Sequence, residues 1–246
     1  MNNTKIPWTE KTWNPMTGCS KYSAGCAHCY AEGITRRFPD AFPNGFNVTL
    51  HPERLDEPKK VKKPTMFFVC SMGDIFHDDV PFDFVDKVME TIESCPKHTF
   101  QILTKRANRM YYYFVIKRGR VPKNAWLGVT VETTNTKPRI EVLEHIVLAP
   151  VRFLSCEPLL SDLGNMVMHN IDWVICGGES GNQARPMRKE WVLNLKRQCD
   201  EQGVPFLFKQ WGTYGEDGVK RNAKANGCTI DGRIYQAWPT IKKEEK

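Results

Sequence analysis

The sequence predicts one α/β domain built on a parallel sheet, and three observations carry that expectation. Short apolar, β-rich runs recur along the 246 residues. Each is followed by a polar or helix-patterned stretch, the alternation that βα units produce. No composition shift, internal repeat or Gly/Ser linker divides the chain. With about seven strands such a sheet can close partly or wholly as a barrel, or stay open and doubly wound. Periodicity does not distinguish curvature from twist, so the runs alone leave both open.

The strands are expected at residues 65–70, 99–104, 125–130, 151–155, 172–176 and 205–209, all reading as strands buried on both faces. Between them, Phe82, Val85, Val88, Met89 and Ile92 recur at helical spacing behind Asp79 and Asp83. Trp191, Val192, Leu195 and Cys199 do so before Gly203, placed as a C′ glycine. Two further helices fit the gaps at 106–117 and 137–148. Residues 38–64, with five prolines, read as an irregular insertion. The basic run within it, Lys59 to Lys63, is read as a solvated loop leading into a strand rather than a localisation signal. Residues 212–246 form a C-terminal extension in which Asp231-Gly232 predicts a small hairpin, and Lys242 to Lys246 a frayed tail.

No run approaches the roughly 18 consecutive apolar residues of a membrane helix, and the first residues lack the apolar centre of a signal peptide. The expectation is a cytoplasmic protein that does not engage a membrane. A net charge of +7 favours anionic partners without naming one. Nine cysteines is a high, odd count for a compartment in which disulfides do not persist, which points to a metal site. Cys19, Cys26 and Cys29 form C-x6-C-x2-C, three thiols within eleven residues, with Gly18 and Gly25 allowing a tight backbone path. Two centres suit three thiolates: zinc completed by His28 or a distant ligand, or a four-iron, four-sulfur cluster with one iron lacking a protein ligand. Cysteines without metal are the third reading. Structural zinc usually recruits a second ligand pair, and the other six cysteines stand singly.

The block from Ile6 to Pro15, Cys19, Gly25-Cys26, Cys29-Tyr30-Ala31-Glu32, Gly177-Gly178-Glu179-Ser180-Gly181 and Phe208-Lys209-Gln210-Trp211-Gly212 resembles the phage Gp37/Gp68 family, a domain of unknown function. That family is similar to a divergent branch of the radical S-adenosylmethionine superfamily. The resemblance spans nearly the whole chain and implies a partial or full βα barrel, with a three-cysteine [4Fe-4S] cluster in the loop after the first strand. It departs in the first cysteine gap, six residues here against the superfamily's usual three.

The resemblance further implies an enzyme that binds S-adenosylmethionine at the open iron and cleaves it reductively to start radical chemistry. It implies a reductant such as flavodoxin or ferredoxin, and an unknown substrate that includes a nucleobase or nucleic acid among its candidates. Active sites of βα barrels gather at the C-terminal ends of the strands. On that basis the cofactor-binding candidates are Ser71, Asp74, Thr104, Thr130, Glu132, Ser155, Gly177, Gly178 and Glu179, and the catalytic candidates are Lys105, Glu157 and Lys209. Asp74 is placed to accept the methionine amino group, Thr104-Lys105-Arg106 to meet its carboxylate, and Thr130 and Glu132 to reach the ribose. Lys209 is read as touching substrate or pairing with Glu157 or Glu179. Helix caps and surface ion pairs are the ordinary alternative for these residues. Two rival functions stand beside the lead: a metal-stabilised nucleic-acid-binding protein with structural cysteines, supported by the basic runs at 59–63, 117–120 and 185–189, and a barrel that binds S-adenosylmethionine for polar chemistry.

Overall fold

The computed structural model describes residues 2–240, so the tail from Lys242 to Lys246 lies outside the described residues. Contacts divide the chain into two compact units. The first comprises Met1–Tyr22, Cys29–Gly128 and Ile146–Pro150; the second comprises Ser23–His28, Val129–His145 and Val151–Lys246.

In the first unit the chain runs through β1 (Asn2–Asn3), β2 (Lys11–Trp13), β3 (Met16–Thr17), α1 (Tyr30–Arg37), β4 (Thr49–Leu50), β5 (Met66–Val69), α2 (Phe82–Glu93), β6 (Thr99–Thr104) and α3 (Ala107–Tyr111). A π-helix, Tyr112–Lys117, continues α3, and β7 (Ala125–Thr130) starts in this unit. β5 pairs in parallel with β2 and β6, setting Phe67 beside both Lys11 and Phe100. The consecutive apolar residues of these strands are buried, as a sheet covered on both faces requires, with Trp13, Phe67 and Phe100 fully enclosed. The period read for α2 buries Val85, Val88, Met89 and Ile92, whereas Phe82 stays partly exposed and stacks on Tyr112. Tyr113 is buried and donates its hydroxyl to Asp86 Oδ1 at 2.7 Å, so it is a packing residue rather than a stacking platform.

In the second unit α4 (Pro138–Glu144) precedes β8 (Arg152–Cys156), β9 (Trp173–Gly177), α5 (Lys189–Glu201), β10 (Phe206–Gln210), α6 (Ala223–Asn226), β11 (Thr229–Ile230) and β12 (Arg233–Ile234). β9 pairs in parallel with β8 and β10, and the register slips between Phe208 and Gln210. α5 ends before Gly203, whose φ of 67° is the left-handed conformation that closes a helix at low cost. The hairpin at Asp231-Gly232 forms with φ of 49° and 72°, the paired positive values of a type I′ turn.

The strand order is β1-β2-β5-β6-β7-β8-β9-β10, with β1 antiparallel at the edge and seven strands forming the parallel series. The fold is the parallel βα sheet of the partial-barrel kind. Two differences from the sequence reading have local causes. The helix expected over 137–148 ends at Glu144, because Val147 and Leu148, which would extend its apolar stripe, are exposed ahead of Pro150. β2, the first strand that the resemblance implies ahead of the cysteine loop, carries no readable alternation of its own, because two of its three residues are polar and half-exposed. No helix among the described residues is long and apolar enough to cross a membrane.

Candidate cofactor site

In the first unit, the end of β2 and the end of β5 are tied together by Asn14. Its side-chain oxygen accepts from the Ser71 hydroxyl at 3.2 Å and from the Met72 N–H at 3.0 Å. The chain then turns through Gly18, φ 88°, where a Cβ would lie 2.1 Å from the Asn47 carbonyl oxygen, so only glycine fits ahead of Cys19. The Cys19 N–H donates to the Phe46 carbonyl at 3.0 Å. Tyr30, directly after Cys29, donates its hydroxyl to the Ser71 carbonyl at 2.5 Å.

Asp74 is buried and accepts several bonds: from the Thr104 hydroxyl at 2.7 Å, from the N–H groups of Phe76 and Lys105 at 3.0 and 3.2 Å, and from Arg106 Nη1 at 3.2 Å. The Thr104 hydroxyl also accepts the Arg106 N–H at 2.9 Å. Arg106 is buried too, with Nη1 3.5 Å from Cys19 Sγ, Nη2 3.0 Å from Ser20 Oγ and its guanidinium over the Tyr22 ring. His77 Nδ1 accepts the Asp79 N–H at 3.1 Å, which leaves Nε2 as the protonated nitrogen of the neutral ring, facing Ser20 Oγ at 2.8 Å. Burial first, and then the Arg106 charge, lower the His77 pKa from its ordinary value.

In the second unit, Glu132 is fully buried beyond the end of β7. It accepts from Arg139 at 2.9 Å and from the Ser23 hydroxyl. A Cβ on Gly25 would sit 2.6 Å from its carboxylate oxygen, so the glycine before Cys26 is required by Glu132. Thr130 is buried, and its carbonyl takes a second Arg139 N–H at 2.7 Å. At the end of β8, Glu157 accepts from Ser155 at 3.2 Å and pairs with Lys209 Nζ at 2.5 Å, realising one of the two pairings considered for that lysine.

Gly177, Gly178 and Glu179 at the end of β9 interlock with the chain leaving β10. The Gly178 N–H donates to the Gln210 carbonyl at 2.9 Å, and the Thr213 N–H donates to the Glu179 carbonyl at 2.9 Å. A Cβ on Gly178 would lie 1.9 Å from the Trp211 carbonyl oxygen. The close approach that this glycine allows is therefore to protein backbone.

Glu179 is buried and holds Arg185 through Nη2 at 2.6 Å and Nε at 2.9 Å, with the Arg185 N–H at 2.8 Å and His28 Nδ1 at 3.2 Å. Burial pushes its carboxyl up, but the Arg185 bonds and the His28 bond outweigh it and hold the pKa below the ordinary 4.5. The ionised carboxylate stabilises the fold fully above that ordinary value, and the contribution is lost as pH falls through the depressed one. Glu179→Gln should accordingly flatten the fall in stability with acid below about pH 4.5, measured as urea midpoints across a pH series. Equal slopes for the two proteins would remove Glu179 from that role.

The cysteines divide by environment. Cys19, Cys26, Cys29 and the isolated Cys228 are half-exposed and Cys95 is buried, as are Cys70, Cys156, Cys176 and Cys199. Burial pushes the thiol pKa of the latter four up, to about 12 for Cys199, so they stay protonated and are poor ligands. The donor chemistry of the three-cysteine segment thus fits a thiolate-bound centre, and the Arg106 N–H facing Cys19 Sγ adds to that fit. Among the described residues no three His, Cys, Asp or Glu side chains are gathered as a metal ion requires. Arg139 and Arg185, which organise Glu132 and Glu179, are not marked out as site residues by the sequence, and Arg106, read from the sequence with Thr104 and Lys105 as a carboxylate partner for methionine, instead pairs with Asp74. The signal for Arg139 and Arg185 is only short spacing from a carboxylate-bearing strand end.

Among solved structures, the chain is similar to spore photoproduct lyase complexed with dinucleoside spore photoproduct, at 11% identity and a TM-score of 0.51. A cysteine-to-serine mutant of that lyase aligns at 11% identity and a TM-score of 0.50. In both cases 81% of this chain is covered, and it spans 63% of the lyase chain. This likeness is one of fold. No curated protein matches the sequence. A family model described as "Protein of unknown function (DUF5131)" matches residues 3–239, and the chain belongs to that family.

Proposed function

We propose that this chain is an iron–sulfur enzyme that binds S-adenosylmethionine at a [4Fe-4S] cluster held by Cys19, Cys26 and Cys29. The observation that carries this reading is the place of the C-x6-C-x2-C segment in the fold. It follows β2, the first strand of the parallel series, in a sheet of the kind that radical S-adenosylmethionine enzymes share. When bound, the cluster supplies the electron that cleaves the S-adenosylmethionine sulfonium and starts radical chemistry.

The chain's own residues bind, orient and exclude water. Ser71, Asp74 and Thr104 in the first unit, and Thr130, Glu132, Ser155, Gly177 and Glu179 in the second, are the proposed cofactor-binding set, from which the backbone contact of Gly178 removes that glycine. The structure gives them a preorganised character: Asp74, Glu132 and Glu179 each have an arginine partner and are nearly or fully buried. Groups held this firmly do not need to reorganise when charge moves nearby. Lys105, Glu157 and Lys209 are the proposed catalytic residues, and the 2.5 Å Glu157–Lys209 pair is an acid–base couple within which a proton can be held or passed. The proposed reductant is a flavodoxin or ferredoxin.

For substrate, the net charge of +7 favours a polyanion, and we assign the class as a nucleobase or nucleic acid. The dinucleoside ligand of the solved lyase belongs to the same class of molecule. Reconstituted protein given dithionite and S-adenosylmethionine should release methionine and 5′-deoxyadenosine, measured by liquid chromatography. Iron-loaded protein that binds S-adenosylmethionine and leaves it intact would contradict the radical assignment.

A further inference from the structure

We propose that Arg106 is a positioning residue that donates an N–H to the Cys19 sulfur and so sets the reduction potential of the cluster, a role that presupposes the cluster assigned above. Arg106 stands two residues beyond β6 and is 3% exposed, a costly place for a cation unless its donors are used. The two terminal nitrogens have partners, while Nε makes no hydrogen bond and lies 3.6 Å from Asp78 Oδ2. Nη1 lies 3.2 Å from Asp74 Oδ2 and 3.5 Å from Cys19 Sγ, Nη2 lies 3.0 Å from Ser20 Oγ, and the Tyr22 ring sits 4.8 Å from the guanidinium carbon.

Buried Asp74 and exposed Asp78 are its carboxylate partners, and the Asp74 oxygens also accept from the Thr104 hydroxyl and the N–H groups of Phe76 and Lys105. A cationic fork is thereby fixed against the cysteine segment by a residue anchored at a strand end, outside that segment. The N–H on the sulfur has a further, electrical effect, since donors to cluster sulfurs favour the reduced, more negative state. Lysine would keep the charge but not the planar fork that reaches carboxylate, hydroxyl and sulfur together.

The experiment uses the full chain, anaerobically reconstituted, with Arg106→Met and Arg106→Lys beside the wild type. The readouts are iron and sulfide per chain and the potential from a dye-mediated titration followed by electron paramagnetic resonance. Arg106→Met should retain iron while its reduction equilibrium moves about tenfold toward the oxidised form, about 59 mV more negative for a one-electron couple. Arg106→Lys should move the same way by less. If Arg106→Met leaves Asp74 buried without its cation and fails to fold, Arg106→Lys decides alone. An iron-loaded variant with the wild-type potential overturns the inference. Wild-type protein that takes up no iron overturns the cluster reading itself, and this inference with it, before any variant is compared.

Discussion

Replacing any one of Cys19, Cys26 or Cys29 with alanine should abolish the brown iron–sulfur chromophore expected of reconstituted protein, whereas Cys95→Ala and Cys199→Ala should leave it in place. The contrast follows from environment. Ligation needs a thiolate, and the first three sulfurs are half-exposed while Cys95 and Cys199 are buried among apolar residues. The Cys199 thiol is pushed up to about 12 by burial, so it remains a small apolar side chain at neutral pH. Iron per chain should fall from about four to a minor fraction in the first set. Equal bleaching by Cys95→Ala or Cys199→Ala would refute the three-ligand assignment.

Gly178→Val is the second substitution with a large expected effect, and it acts on the fold. A Cβ there would stand 1.9 Å from the Trp211 carbonyl oxygen, which is backbone and is held by the bonds joining residues 178–179 to 210–213. Nothing flexible can yield, so the two segments must separate and lose their interlocking hydrogen bonds. The cost should be at the upper end of overpacking penalties, about 3 kcal/mol or more. Thermal melting should show a lowered midpoint or little soluble protein, in the absence of any cofactor. A variant with a wild-type midpoint would mean that the loop has another conformation.

The strands and helices were legible where burial is two-sided or the period long. The run at 99–104 and the stripe through Val85, Val88, Met89 and Ile92 could be read because each residue reports its own burial. β2 could not, because a three-residue strand gains its stability from pairing with β5 rather than from its own side chains. The same limit applies to the site. The cysteine spacing is local and stands out in the sequence, and the carboxylates at strand ends follow from strand placement. The arginines that hold them are set by tertiary geometry. Lys105 and Arg106 look interchangeable in sequence, yet Arg106 is the one buried against Asp74 and Cys19. Glycine shows a further form of the problem. Gly25 reads as a tight backbone turn and Gly178 as room for a cofactor, while the structure shows that they make room for Glu132 and for the Trp211 backbone.

The central claim is the identity of the centre bound by Cys19, Cys26 and Cys29. Anaerobic purification and reconstitution with iron and sulfide, followed by metal and sulfide analysis and visible absorbance, tests it most directly. The account predicts about four iron and four sulfide per chain with a broad visible band that bleaches on reduction. Stoichiometric zinc bound by the same cysteines, with no iron taken up, would contradict it.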